Sequence, residues 1–100
     1  MMDFILAHVE VKHNEKAHRF ESEIHGMLAV LVYRIVLGRM LIQHTEVPPA
    51  LEGRGLAAKL TRVALEYARN EKLQVVPACS YTASFMAKHP EFNDLLPPPR

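Results

Sequence analysis

The stretch Val47-Pro48-Pro49-Ala50-Leu51-Glu52-Gly53-Arg54-Gly55-Leu56-Ala57-Ala58-Lys59-Leu60 decides how the rest of the chain is read. Its two prolines stop the sheet that precedes them, because proline has no N–H to give to a ladder. From Leu56 the hydrophobic period becomes helical. Leu56, Leu60, Val63, Ala64, Tyr67 and Ala68 share one stripe, with Lys59, Arg62, Glu66 and Arg69 opposite. Two glycines therefore stand directly before an amphipathic helix. Glycine lets the backbone turn tightly and lets an anion come close to peptide N–H groups. The first turn of a helix supplies unpaired donors and the positive end of its dipole. Arg54, Lys59 and Arg62 add positive charge near that end. Alone, a Gly-x-Gly pair more often just shapes a loop. No Gly-Lys-Ser/Thr follows, so this is not a nucleotide P-loop. A missing third glycine and an antiparallel pattern upstream make it a poor dinucleotide fingerprint.

Upstream, Phe4 to Lys12 alternate, with Ile5, Ala7, Val9 and Val11 on one face, which predicts a half-buried strand. His13 to Lys16 read as a polar turn and Arg19 to Ile24 as a short second strand. Gly26 reverses the chain. Met27 to Leu37 is rich in β-branched residues and apolar on both faces, as expected of a strand covered on both sides. After Gly38-Arg39 the apolar run resumes over Met40 to Val47, which predicts a hairpin. Downstream, Asn70 ends the helix and Leu73 to Pro77 form another strand. Ser80 is placed to cap a helix over Tyr81 to Lys88, closed by His89-Pro90. Asn93 to Arg100, ending in Pro97-Pro98-Pro99, reads as a loosely held tail. The expected fold is α+β: a mostly antiparallel sheet flanked by two helices in the order β-β-β-β-α-β-α. One domain spans 1–96 and a Pro-rich tail spans 97–100.

At 100 residues with 49% hydrophobic content, the chain has the composition of one globular domain. Lys and Arg number 12 against 11 Asp and Glu, a balance that argues against nucleic acid as the main partner. The single cysteine, Cys79, excludes an intramolecular disulfide and fits a reducing compartment. The longest apolar run is broken by Arg34 and is too short for a bilayer. Met1-Met2-Asp3-Phe4 lacks the basic and apolar regions of a secretory leader. The expectation is a soluble, cytoplasmic protein, a monomer or weak dimer, with neither a membrane nor a nucleic-acid partner. His8, His13, His18 and His25 show no metal-ligand spacing and read as solvated positions, so no metal is expected.

Four blocks carry a more specific signal: His44-Thr45-Glu46-Val47-Pro48, Gly53-Arg54-Gly55-Leu56-Ala57-Ala58-Lys59-Leu60, Val76-Pro77-Ala78-Cys79-Ser80-Tyr81 and His89-Pro90-Glu91-Phe92. In order and spacing they resemble a family of very small, single-domain proteins of the GNAT type, the broad N-acetyltransferase superfamily. The similarity covers roughly Val9 to Leu96. It implies the GNAT fold, acetyl-CoA (or CoA) as cosubstrate and transfer of acetyl to an amine on a small molecule or a protein. A CoA-binding sensor or interaction module without turnover is the alternative. The superfamily signature is Gln/Arg-x-x-Gly-x-Gly/Ala, whose backbone amides hold the pyrophosphate. Gly55 and Ala57 match its last two positions, whereas Glu52 stands where Gln or Arg is usual. The cofactor-binding set implied by the resemblance is Thr45, Glu46, Val47, Gly53, Arg54, Gly55, Leu56, Ala57, Ala58 and Lys59. It also implies that the strand ending at Thr45–Val47 splays from its neighbour near Leu73–Val76, leaving a slot for the pantetheine arm. Only His13 to His18 separate the first two strands, where GNAT enzymes usually carry helices that help build the acceptor site.

Three further residues are candidates for chemistry. Cys79 sits just before a helix, where a thiol can become a reactive thiolate, and the resemblance places it near the thioester end of the cofactor. An inert buried cysteine is the other reading. His44 ends a strand at the expected slot and could take a proton from an attacking amine, or simply hold the proline loop. Tyr81 could reach the leaving thiolate, as a tyrosine after this strand does in many GNAT enzymes, or pack in the last helix.

Overall fold

The computed structural model describes residues 4–98. Its strands are β1 (Lys12–Asn14), β2 (Arg19–Ile24), β3 (Met27–Val36), β4 (Arg39–Glu46) and β5 (Gln74–Pro77), and its helices are α1 (Leu56–Asn70) and α2 (Ser80–Lys88). Short 3-10 turns occupy Leu6–His8, Pro49–Leu51 and Pro90–Leu95. The five strands lie side by side in chain order. The first four are antiparallel, and β5 joins parallel to β4 after the α1 crossover. The tight turns His25-Gly26 and Leu37-Gly38 have positive φ at both positions, the geometry that matches the twist of a two-residue hairpin.

One face of the sheet carries the core. Phe20, Leu31, Met40, Ile42 and Val75 pack against Leu56, Leu60, Ala64, Leu65 and Ala68 of α1, with Phe85 and Met86 of α2 completing the layer. Each large apolar side chain buried here stabilises the fold by about 1.5–3 kcal/mol. α1 buries Leu65 and Thr61 outside its expected stripe, because α2 and the 90–95 turn cover a second side of it. Thr61 is tolerated there because its hydroxyl donates to Ala57 O at 2.7 Å. The helix ends with Lys72 in the left-handed region, Lys72 N–H bonding Arg69 O and Leu73 N–H bonding Ala68 O.

Five expectations change. β3 is fully covered on one face only: on the other, Leu28 and Val36 are exposed, Val32 is half-buried and Val30 alone is buried. The alternation of Phe4–Lys12 does not make a strand. Leu6–His8 is a 3-10 turn lying against α1, and β1 begins only at Lys12. His13 belongs to β1 and is packed rather than solvated, stacked on Phe20 at 4.1 Å with Nε2 2.6 Å from the Tyr33 hydroxyl. Cys79, not Ser80, is the N-cap of α2. Asn93–Leu95 are no loose tail: Phe92 and Leu95 are buried, and Arg69 bonds Glu91 O and Asp94 Oδ1. Pro99 and Arg100 of the expected tail, like residues 1–3 of the expected domain, lie outside the described residues. Among the described residues no helix is long and apolar enough to cross a membrane, and no three His, Cys, Asp or Glu side chains come together as a metal site would need.

Candidate functional site

The site begins with a break in the sheet. Val32 pairs with His44 but Tyr33 pairs with Ile42, so Gln43 is an extra residue that bulges β4 and bends it. Pairing of β4 with β5 stops at Ile42 and Pro77. Residues 43–46 therefore continue β4 without a partner on that side, and the two strands part.

The start of α1 faces this break. Gly55 is the N-cap, held at φ 86° in the left-handed region that favours glycine, and no side chain caps the helix. The first helical bond is Lys59 N–H to Gly55 O at 3.0 Å. The N–H groups of Leu56, Ala57 and Ala58 thus precede the ladder and have no hydrogen-bond partner among the described residues. A cavity of about 510 Å³ lies between these elements. Thr45, Glu46 and Val47 line one wall and Gly53, Gly55, Leu56, Ala57 and Ala58 the other, with Leu51, Glu52 and Tyr81 completing it.

Arg54, Lys59, His44 and Cys79 are not among the lining residues. The Lys59 ammonium donates to Leu6 O and Val9 O, each at 2.7 Å, which fastens the N-terminal segment to α1. The Arg54 guanidinium stands over the Phe4 ring. Arg62 stands over Phe85 and Phe92. Hence the positive charges expected to help an anion are engaged elsewhere, while Glu46 and Glu52 place carboxylates at the cavity. His44 pairs with Val32 on the uncovered face of the sheet, exposed, with Nε2 3.8 Å from Glu46 Oε2. It meets the cavity only through Glu46.

Cys79 lies one step behind the wall. Its thiol donates to the Thr45 hydroxyl at 3.7 Å. Burial alone would push this thiol up. The Thr82 N–H, the Thr45 hydroxyl and the Tyr81 N–H stabilise the thiolate and bring the group below its ordinary value. The Thr82 hydroxyl, fully buried beside the sulfur, adds least. Burial raises the Tyr81 phenol, which keeps it protonated.

A family model for a GCN5-related N-acetyltransferase matches residues 19–95. The chain belongs to the GCN5-related N-acetyltransferase family. Within it, the chain is 35% identical over 85 residues to protein NATD1 of Gallus gallus, covering 82% of this chain and 77% of that protein. It is 34% identical to NATD1 of Homo sapiens, covering 82% and 75%, and 33% identical to that of Danio rerio, covering 86% and 81%. Its fold matches a GCN5-like protein of Staphylococcus aureus solved by NMR in solution, with TM-score 0.72, 26% identity and coverage of 95% and 94%. The expected fold and family are both found. The sequence reading missed Leu51 as a lining residue, the attachment of Lys59 to the N-terminal segment, and Thr82 beside the thiol. Only for Thr82 was a signal present: a polar residue three positions after Cys79, on the same turn of the predicted helix.

Proposed function

We propose that the cavity binds acetyl-CoA, with its diphosphate on the amides at the start of α1, and that the protein transfers the acetyl group to an amine. One observation carries this reading. Three unpaired N–H groups at the positive end of a 15-residue helix open onto a cavity and have no side-chain cap. Gly53, where a Cβ would meet nothing within 4 Å, keeps a side chain away from the approach, and Gly55 supplies the left-handed turn into the helix. The arm of the ligand would run along β4 towards the gap beyond Ile42, where the unpaired edge of β4 near Thr45–Val47 offers main-chain donors to the thioester oxygen. As the amine attacks, the thioester C–S bond breaks and the neutral Tyr81 phenol is placed to protonate the leaving thiolate. The carboxylates able to take the amine proton at the cavity are Glu46 and Glu52, with His44 behind Glu46.

A second reading, a CoA-binding module without turnover, draws on a different observation. Only residues 15–18 separate β1 and β2, so no helices stand there to wall an acceptor. An acceptor would have to lie across an open surface, as a peptide lysine or amino terminus can.

Ala57→Glu tests the seat. A carboxylate in the first turn suits the helix dipole, so the variant should fold with an unchanged or higher melting temperature. The same charge repels the diphosphate, and affinity for CoA should fall at least about tenfold. CoA raising the melting temperature of wild type and variant equally would remove the cradle. Gly55→Val is a poorer test, because a Cβ there meets Leu6 Cδ2 at 3.0 Å and the backbone is already at positive φ. Acetyl transfer to amines and lysine peptides then separates the enzyme from the module.

A further inference from the structure

The cavity has two chemically different ends. At one lie the unpaired amides of α1. At the other lie Thr45 and Tyr81, and both touch Cys79, the first by a hydrogen bond at 3.7 Å and the second through its N–H. Beside the sulfur, Thr82 Oγ1 is fully buried, turned towards the thiol, and without a formed hydrogen bond of its own. A buried hydroxyl left unsatisfied is costly, and it marks a place where a further acceptor would be welcome. Cys79 stands directly behind these two lining residues, so a ligand held by its diphosphate at the amides and carrying sulfur at its other end would bring that sulfur to the Thr45–Tyr81 wall, next to the thiol.

We propose that Cys79 is a disulfide-exchange site for CoA disulfides, and that the resulting protein–CoA mixed disulfide reversibly closes the cavity. The proposal rests on the reading of this cavity as a CoA site. The Cys79 thiolate attacks the sulfur of the seated CoA half. The new Sγ–S bond forms as the old S–S bond breaks, and the electron pair leaves on the second CoA half as a thiolate. The proton given up by Cys79 goes to solvent, so one disulfide is exchanged for another with no external oxidant. Cys79 is the only cysteine of the chain. No second thiol can resolve the adduct internally, so it persists until an external thiol reduces it. While it persists, the covalently held CoA fills the seat that acetyl-CoA needs.

The test incubates the reduced full chain with CoA disulfide, or with glutathione disulfide at equal concentration, and follows intact mass with time. The expected result is one adduct per chain, heavier by one CoA less two hydrogens, absent in Cys79→Ser and removed by dithiothreitol. It should form at least about tenfold faster than the glutathione adduct, because the seat raises the local concentration of the attacked sulfur. Ala57→Glu should lose that advantage while reacting with glutathione disulfide as before. Thermal shift with reduced CoA is measured in parallel. If CoA stabilises the protein but no adduct forms, or both disulfides react equally fast, the exchange site is overturned and the CoA seat stands. If CoA gives no stabilisation at all, the seat and the exchange site fall together.

Discussion

The most informative single residue is Glu52. It lines the cavity at the position where the superfamily signature has Gln or Arg. On the proposed reading, a carboxylate there opposes the diphosphate that the backbone amides would hold. Replacing it by a neutral isostere should therefore help. Glu52→Gln is expected to tighten CoA binding about two- to fivefold at low salt, with the gain shrinking as ionic strength rises. Titration by calorimetry at two salt concentrations checks both halves. An unchanged or weaker affinity would mean that the diphosphate sits away from Glu52. At this scale the glycines and Glu52 were legible, because backbone conformation and charge are local properties. Lys59 was not. Its ammonium was expected at a phosphate, but its carbonyl partners lie 50 and 53 residues away in the chain, and no local pattern reveals such a contact.

Between elements, that same lysine makes the clearest prediction. The 3-10 turn Leu6–His8 has no side-chain cap and no buried residue of its own, so long-range polar attachments add to the packing of Phe4, Leu6, Val9 and Val11 on the core in holding the N-terminal segment. Lys59 grips Leu6 O and Val9 O, and Ser22 Oγ donates to Glu10 O at 2.9 Å. Lys59→Met keeps the packing of the stem and removes both charged hydrogen bonds, at a cost of about 2–3 kcal/mol. Amides of residues 6–11 should then exchange faster with solvent, by a larger factor than those of β3 and β4, which speed up only as far as global stability falls. CoA affinity per folded molecule should stay within about twofold; a tenfold loss would show that Lys59 serves the ligand rather than the strap. Element identity was mostly legible, since two apolar runs joined through Gly38-Arg39 gave the β3–β4 hairpin and period 3.6 gave α1. The N-terminal alternation misled, because alternating apolar residues also suit a short turn whose apolar side chains dock on a helix. Cover on β3 was misjudged for a related reason. An apolar strand surface signals burial only when an element exists to lie on it, and both helices lie on the other face.

Taken whole, the molecule is a sheet with helices on one face, an open cavity at the start of α1 and an aromatic cluster towards its end. His13 of β1, Phe20 of β2, Tyr33 of β3 and Tyr67 of α1 meet there, with His13 centroids 4.1 Å from Phe20 and 4.5 Å from Tyr67. This cluster fastens the short edge strand to the helix, and it was invisible in the sequence because its members are spread over 55 residues. It makes stability depend on pH. Burial lowers the His13 pKa from its usual 6.5, outweighing the opposing pull of Glu15. The neutral ring can accept the Tyr33 hydroxyl hydrogen at Nε2 and stack on Phe20. Because the folded pKa is depressed, the unfolded chain binds more protons at mildly acidic pH. The contribution of His13 is therefore complete above its unfolded pKa and is lost as pH falls towards the folded one. A separate loss follows at lower pH. The pKa of Glu91 is depressed by its own backbone N–H, His89 and Arg62, and that of Asp94 by the Arg69 hydrogen bond. Both are exposed, so that second step should be small. The melting temperature is expected to drop a few degrees between about pH 7 and pH 5. In His13→Gln this upper step should vanish, leaving only the decline below about pH 4.5 as the carboxylates protonate. A variant that keeps the upper step would assign it to another histidine and leave the cluster with packing as its whole contribution.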